Sequence, residues 1–222
     1  MQIKALFFDL DGLIFDTEKI YVKYWIEASK FYGFELKYQD ALLLRSCDSH
    51  IAENVIKTCL GEGADYSLIR KKRKELMKEY FTNHKYELKK DIIEFLAYLS
   101  QYREIKKIIV TSSHLEEKKF ILSECGILSC FDDVISCDSV KKGKPFPDIY
   151  LMALDLAGVC SNEVIAFEDS PNGIKSAYYA GITVVMIPDL SSFNELNFTF
   201  KNRIHHFDNL LQSIPFIESC IK

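Results

Sequence analysis

The second two-thirds of the chain alternate short apolar runs with stretches of helical spacing, and few folds accommodate that order. Ile92 to Leu99 reads as helix, Lys107 to Thr111 as strand, Leu115 to Cys125 as helix before Gly126, and Asp133 to Ser136 as a short strand. Asp148 to Ala157 reads as helix before Gly158, Val164 to Phe167 as strand, Asn172 to Ala180 as helix before Gly181, and Thr183 to Ile187 as strand. Strands separated by helices have the crossovers a parallel sheet requires, so the pattern predicts an α/β, Rossmann-like parallel sheet with helices on both faces. A last strand is expected at Arg203 to Phe207 and a last helix at Asp208 to Ile214.

The first strand stands apart from the others. Ile3 to Phe8 is apolar and closed by Asp9, Asp11 and Gly12, as suits a strand buried on both faces. From Thr17 to about Lys85 no convincing strand follows. Helical spacing runs over Glu18 to Tyr32, Gln39 to Leu44, Ser49 to Leu60 and Tyr66 to about Phe81. The expected division is therefore a core of residues 1–16 and 86–222, with an all-helical module of residues 17–85 inserted after the first strand. The run Arg70-Lys71-Lys72-Arg73-Lys74 lies in the last of these helices beside Leu68, Ile69, Leu76 and Met77, and is expected to form a solvated helix face.

With 222 residues, 48% of them hydrophobic, the chain can bury a full core. A net charge of −4 gives no general attraction for nucleic acid or anionic membrane. No apolar stretch reaches spanning length and no signal peptide precedes the first strand, so a cytoplasmic protein is expected. Seven cysteines without a C-x-x-C pair fit reduced, mostly buried thiols, and the five histidines show no ligand spacing.

Polar residues gather where strands end. Asp9 and Asp11 are two apart, so in extended backbone both carboxylates can enter one pocket at the sheet edge where open α/β sheets bind ligands. Taken alone, such a pair is more often a capped turn. Thr111-Ser112-Ser113 follows the next strand with hydroxyls and free backbone donors at a helix start, which suits a phosphate or caps that helix. Lys144 sits in a loop stiffened by Pro145 and Pro147. Glu168-Asp169 closes another apolar strand, and together with the first acidic pair it could hold magnesium, which prefers a few carboxylates with water and phosphate oxygens.

The ordered set Asp9-x-Asp11-Gly12-x-x-Phe15-Asp16-Thr17-Glu18, Val110-Thr111-Ser112-Ser113, Gly143-Lys144-Pro145-x-Pro147-Asp148 and Phe167-Glu168-Asp169-Ser170-x-x-Gly173 resembles the haloacid dehalogenase superfamily, and within it the β-phosphoglucomutase-like phosphatases with a helical cap. The resemblance implies Asp9 as nucleophile, forming an aspartyl phosphate. It implies Asp11 as general acid and then base, with a raised pKa. Thr111, Ser112 and Lys144 would hold the phosphoryl oxygens. Asp9, the Asp11 carbonyl, Glu168 and Asp169 would surround Mg2+. The substrate would be a small phosphorylated metabolite read by cap residues such as Tyr21, Trp25, Arg45 and His50, and the protein a monomer.

Two positions depart from the mutases of this group. Tyr21 aligns with a histidine and Ser49 with an arginine, which favours a phosphatase over a phosphosugar mutase. The usual Pro-Gly after the cap is Lys90-Asp91, so the second hinge falls somewhere in Tyr86 to Asp91. Dehalogenases of the superfamily lack the second aspartate, and Asp11 argues against that reaction. A fold retained for binding without turnover is the third reading.

Overall fold

A computed structural model describes residues 2–191 and 202–221; of the expected core, Met1, residues 192–201 and Lys222 lie outside the described residues. Strands β1 (Ala5–Phe8), β2 (Lys106–Thr111), β3 (Asp133–Ser136), β4 (Val164–Glu168), β5 (Thr183–Met186) and β6 (Ile204–His206) form one sheet in the order β3-β2-β1-β4-β5-β6. All five pairings are parallel.

The alternation of side chains along each strand divides the core into two layers. Leu6, Phe8, Ile109, Ile165 and Phe167 face α5 (Ile92–Leu99), α6 (Leu115–Glu124) and α9 (Ile214–Ile221). Ala5, Phe7, Ile108, Val110 and Ala166 face α7 (Asp148–Ala157) and α8 (Pro171–Tyr179). Helix α9 begins where the expected last helix was to stop, and a single 3-10 turn at Leu211–Ser213 precedes it. Pro215 reads as a terminator in sequence, but in the first turn of a helix its missing N–H has no partner to lose.

Between β1 and α5 lie α1 (Glu18–Phe31), α2 (Tyr38–Leu42), α3 (Ser49–Leu60) and α4 (Tyr66–Asn83). They bury their own cluster around Val22, Trp25, Ala28, Leu44, Ile56 and Ile69. Asp48 and Asp65 open α3 and α4 by accepting from the His50 and Leu68 amides, satisfying donors that a helix start leaves free. The chain leaves and re-enters the core side by side. Asp16 N donates to Glu87 O at 2.9 Å, Lys89 N donates to Ile14 O at 2.8 Å, and Phe15 bridges Leu88 in antiparallel sense.

A second contact joins the helical unit to the core. Asp48 N donates to Lys144 O at 2.7 Å, Gly143 N to Asp48 Oδ2 at 2.9 Å, and Asn172 Nδ2 to Arg45 O at 2.9 Å. All seven cysteines are free, six half-buried and Cys160 exposed. No helix among the described residues is long and apolar enough to cross a membrane.

Candidate active site

The sheet order reverses between β1 and β4, the crevice where open α/β sheets place ligands. Register puts Phe8 beside Phe167, and Asp9 N donates to Phe167 O at 3.0 Å, so Asp9 emerges next to Glu168 and Asp169. Fully buried Lys144 ties the two strand ends together. Its Nζ donates to Asp9 Oδ1 at 2.5 Å, Glu168 Oε1 at 2.6 Å and Val110 O at 2.9 Å. Tyr150 Oη donates to the same Glu168 oxygen. Burial alone would weaken the ammonium, but the charges of Asp9 and Glu168 outweigh it and hold Lys144 above the usual lysine range.

The acids are left with spare oxygens. Among the described residues, Asp9 Oδ2, Glu168 Oε2 and both carboxylate oxygens of Asp169 are buried without a hydrogen-bond partner. One oxygen of each of the three lies within 4.8 Å of the others. Burial raises all three carboxyls, Glu168 to about 7, with Lys144 opposing the rise at Asp9 and Glu168. Unpartnered buried carboxylates in such a cluster are costly alone and fit a hard divalent cation with oxygen ligands, such as magnesium. Two glycines leave room for them. A Cβ on Gly12, whose φ is +91°, would fall 2.3 Å from Asp169 Oδ2, and one on Gly173 would fall 1.8 Å from Glu168 Oε2.

Asp11 is arranged differently. Its Oδ1 accepts from Thr17 Oγ1 and Lys118 Nζ, both at 2.8 Å, and its Oδ2 accepts from Ser113 Oγ at 2.9 Å. Burial pushes its pKa up, but the Lys118 charge and these three hydrogen bonds more than offset that and hold it below the usual carboxylate value. The expected raised pKa is thus reversed, because Lys118 is a neighbour the sequence reading did not bring in. Lys118 is fully buried, with its ammonium 5.9 Å from the Tyr21 ring centroid and 5.5 Å from that of Tyr86. The carboxylate of Asp11 is therefore committed to hydrogen bonds and is not among the spare oxygens of the acidic cluster.

A cavity of about 580 Å³ opens over this floor between the core and the helical unit. Asp9, Asp11, Thr111 and Ser112 line it from the core, and Tyr21, Trp25 and Arg45 from the helical unit, Arg45 in the turn between α2 and α3. Thr111 is buried with its Oγ1 accepting from Ser113 N at 3.1 Å, and Ser112 Oγ is buried without a partner among the described residues. Arg45 reaches across the interface: its Nη1 is 3.8 Å from Asp169 Oδ2 and its Nη2 donates to Ser191. His50 is not brought to the site; it is exposed in the first turn of α3 and does not line the cavity. Glu18, carried in the sequence motif without a role, also lines the cavity; burial drives it up to about 8, with one oxygen unpartnered among the described residues.

The basic run of α4 corrects a second expectation. Lys71 is exposed and Lys72 pairs with Glu75 at 3.6 Å, but Arg70, Arg73 and Lys74 line the cavity. Arg73 lies four residues from both Ile69 and Met77, which are buried, so the apolar stripe carries it inward.

Residues 6–187 match the haloacid dehalogenase-like hydrolase family. The chain is 28% identical over 182 residues to the fructose-1-phosphate phosphatase YqaB of Escherichia coli, covering 82% of this chain and 94% of that protein. It is 30% identical over 185 residues to the phosphorylated carbohydrates phosphatase of Thermotoga maritima, covering 81% and 82%. The structure of β-phosphoglucomutase from Clostridium difficile superposes with a TM-score of 0.76 at 20% identity, covering 99% of this chain and 97% of that one, a likeness of fold. The chain belongs to the haloacid dehalogenase-like hydrolase family, and it is an enzyme of the hydrolase class.

Proposed function

We propose that the protein is a magnesium-dependent phosphatase that hydrolyses a small phosphomonoester, a sugar phosphate among the candidates, through an aspartyl phosphate on Asp9. The observation that carries this reading is the buried Asp9, with one oxygen on Lys144 and the other unpartnered, beside the spare oxygens of Glu168 and Asp169. The names of the two curated relatives agree with it. Residues 17–85 serve as a cap over the site, and the protein acts as a monomer.

An ionised aspartate needs no activating base to attack phosphorus. Lys144 favours the ionised form of Asp9 against the burial that raises its pKa and offsets charge on the transferring group, while Thr111 and Ser112 orient its oxygens between β2 and α6. A magnesium ion held by Asp9, Glu168 and Asp169 would supply further charge stabilisation for the phosphoryl oxygens. In the state described here Asp11 is a carboxylate, set as the base for the attacking water. A dianionic phosphoryl group arriving beside it raises its pKa in turn, so its acid form becomes accessible with substrate bound.

The phosphosugar mutase reading loses support at two positions: Tyr21 places its hydroxyl 3.5 Å from Lys118 Nζ, and Ser49 is exposed outside the cavity. Incubation with a generic aryl phosphate tests the proposal. Release of phosphate with magnesium, its loss in chelator, and a phosphate on Asp9 found by mass spectrometry after acid quench are the expected results. Full activity in chelator, or a labelled residue other than Asp9, would overturn it.

A further inference from the structure

Lys144 is held at both of its ends. Its ammonium is hydrogen-bonded to Asp9, Glu168 and Val110 O, all in the core. Its backbone carbonyl is bonded instead to the helical unit, accepting from Asp48 N at 2.7 Å. One residue earlier in the chain, Gly143 N donates to Asp48 Oδ2 at 2.9 Å. The other carboxylate oxygen, Asp48 Oδ1, accepts from His50 N at 2.9 Å and opens α3. Asp48 thus serves its own helix with one oxygen and the Lys144 loop with the other.

The loop has little else to hold it before Lys144. Lys141 and Lys142 are exposed, and Lys142 lies over the ring of Phe146 in the same loop, 4.9 Å from its centroid. Among the described residues, 141–143 make no hydrogen bond or ion pair outside their own loop except the one to Asp48. After Lys144 the chain is tied to the core, since Phe146 O accepts from Ser176 Oγ at 2.5 Å. The approach of Asp48 is close: a Cβ on Gly143 would stand 3.4 Å from Asp48 Oδ2 and 3.6 Å from its Cα. Asp48 does not line the cavity, so what it contributes to turnover passes through the loop and not through the substrate.

A lysine stem is flexible, so an ammonium that must bridge two carboxylates depends on where its backbone stands. A displacement of about 1 Å at a reacting group can cost about 10²-fold in rate. We infer that Asp48 is a positioning residue for Lys144: by holding the loop at Gly143 and Lys144 it sets the ammonium between Asp9 and Glu168, so that turnover depends on the helical unit even for a substrate too small to touch its walls. This rests on the phosphatase reading.

The two oxygens of Asp48 can be separated. Asp48→Ser keeps a capping hydroxyl for α3 and has no second oxygen for Gly143 N, whereas Asp48→Ala loses both. With magnesium and an aryl phosphate, Asp48→Ser is expected to lower kcat about tenfold, with KM within about twofold of wild type and the same loss on a sugar phosphate. Its thermal unfolding midpoint should stay near that of wild type. Wild-type kcat in Asp48→Ser, with the loss confined to Asp48→Ala, would reduce Asp48 to a helix cap and overturn the inference. A loss carried by KM alone, or by the sugar phosphate alone, would overturn it too. If Asp48→Ser fails to fold, Asp48→Asn gives the same readout, since an amide has one acceptor oxygen for the two N–H groups. Hydrogen exchange reads the hold without turnover: the Gly143 amide should exchange about tenfold faster or more in Asp48→Ser than in wild type, and an unchanged rate would overturn the inference. If wild type hydrolysed no phosphomonoester, the phosphatase reading would fall, and exchange would still decide whether Asp48 holds the Lys144 loop.

Discussion

Asp9, Glu168 and Asp169 stand on the ends of two paired strands, whereas Arg70, Arg73 and Lys74 stand on one face of a helix in a separately packed unit. The acids are placed by sheet register, Asp9 and Glu168 are bonded through Lys144, and Arg45 of the helical unit approaches Asp169. The cations meet them because the helical unit docks on the core, with Arg45, Asp48, Tyr21 and Lys74 among its contacts. The difference separates two tasks. Under the proposed function, a floor that must place a nucleophile to within a fraction of an ångström is built on strands, and the facing wall of the cavity sits on a separately packed unit.

The largest effect that would break this division is loss of the nucleophile. Asp9→Asn should lower kcat by about 10³-fold or more on every substrate with the fold intact, since an amide is a poor nucleophile. Circular dichroism and a steady-state assay check it, and residual turnover near wild type would place the nucleophile elsewhere. Metal addition should show that the floor alone holds the cation. Magnesium at a hundred times its Kd is expected to stabilise the protein by about 2.7 kcal/mol, read by thermal or denaturant unfolding. The gain should vanish in Asp169→Asn and survive in Arg73→Gln.

Lys118→Met should have an intermediate effect. Without the ammonium, Asp11 loses the charge that lowers its pKa, so burial raises it. Activity that needs the carboxylate should then disappear at a higher pH on the acid side, with kcat/KM down about 10-fold to 100-fold below that limb. An unshifted acid limb would remove Lys118 from the control of Asp11. The smallest effect belongs to Lys71→Ala. Lys71 is exposed in the same basic run but outside the cavity, and should leave kcat/KM within about twofold, as a surface substitution does.

How legible each region was follows from how it is built. The strand-end acids and Lys144 could be read because a strand needs few residues to declare itself and its carboxyl end is where ligands bind. Lys118 could not be found that way, being a single charge in a helix. The signal lay in its spacing three and four residues before Ile121 and Leu122, which puts it on the buried face of α6. Arg73 carried the same signal between Ile69 and Met77, but a run of five cations drew attention to charge and away from period. The raised pKa expected of Asp11 came with the acid–base role that the resemblance implies; the cation that reverses it comes from α6, at a sequence distance of 107 residues. His50 misled for a plainer reason, since its place beside a loop aspartate says nothing about which way a first helical turn faces.

The paired segments at Ile14–Asp16 and Glu87–Lys89 have a topological consequence. Because departure and return are hydrogen-bonded neighbours, the core meets the whole of α1 to α4 as though it were one hairpin loop, and neither of its two hydrophobic layers includes a residue from 18–85. Closing a loop costs little more when it is longer. The fold of the sheet is thereby indifferent to what the loop contains, and a chain that exchanged α1 to α4 for another helical unit or for a short turn would keep the strand-end acids and Lys144 while replacing the facing wall of the cavity.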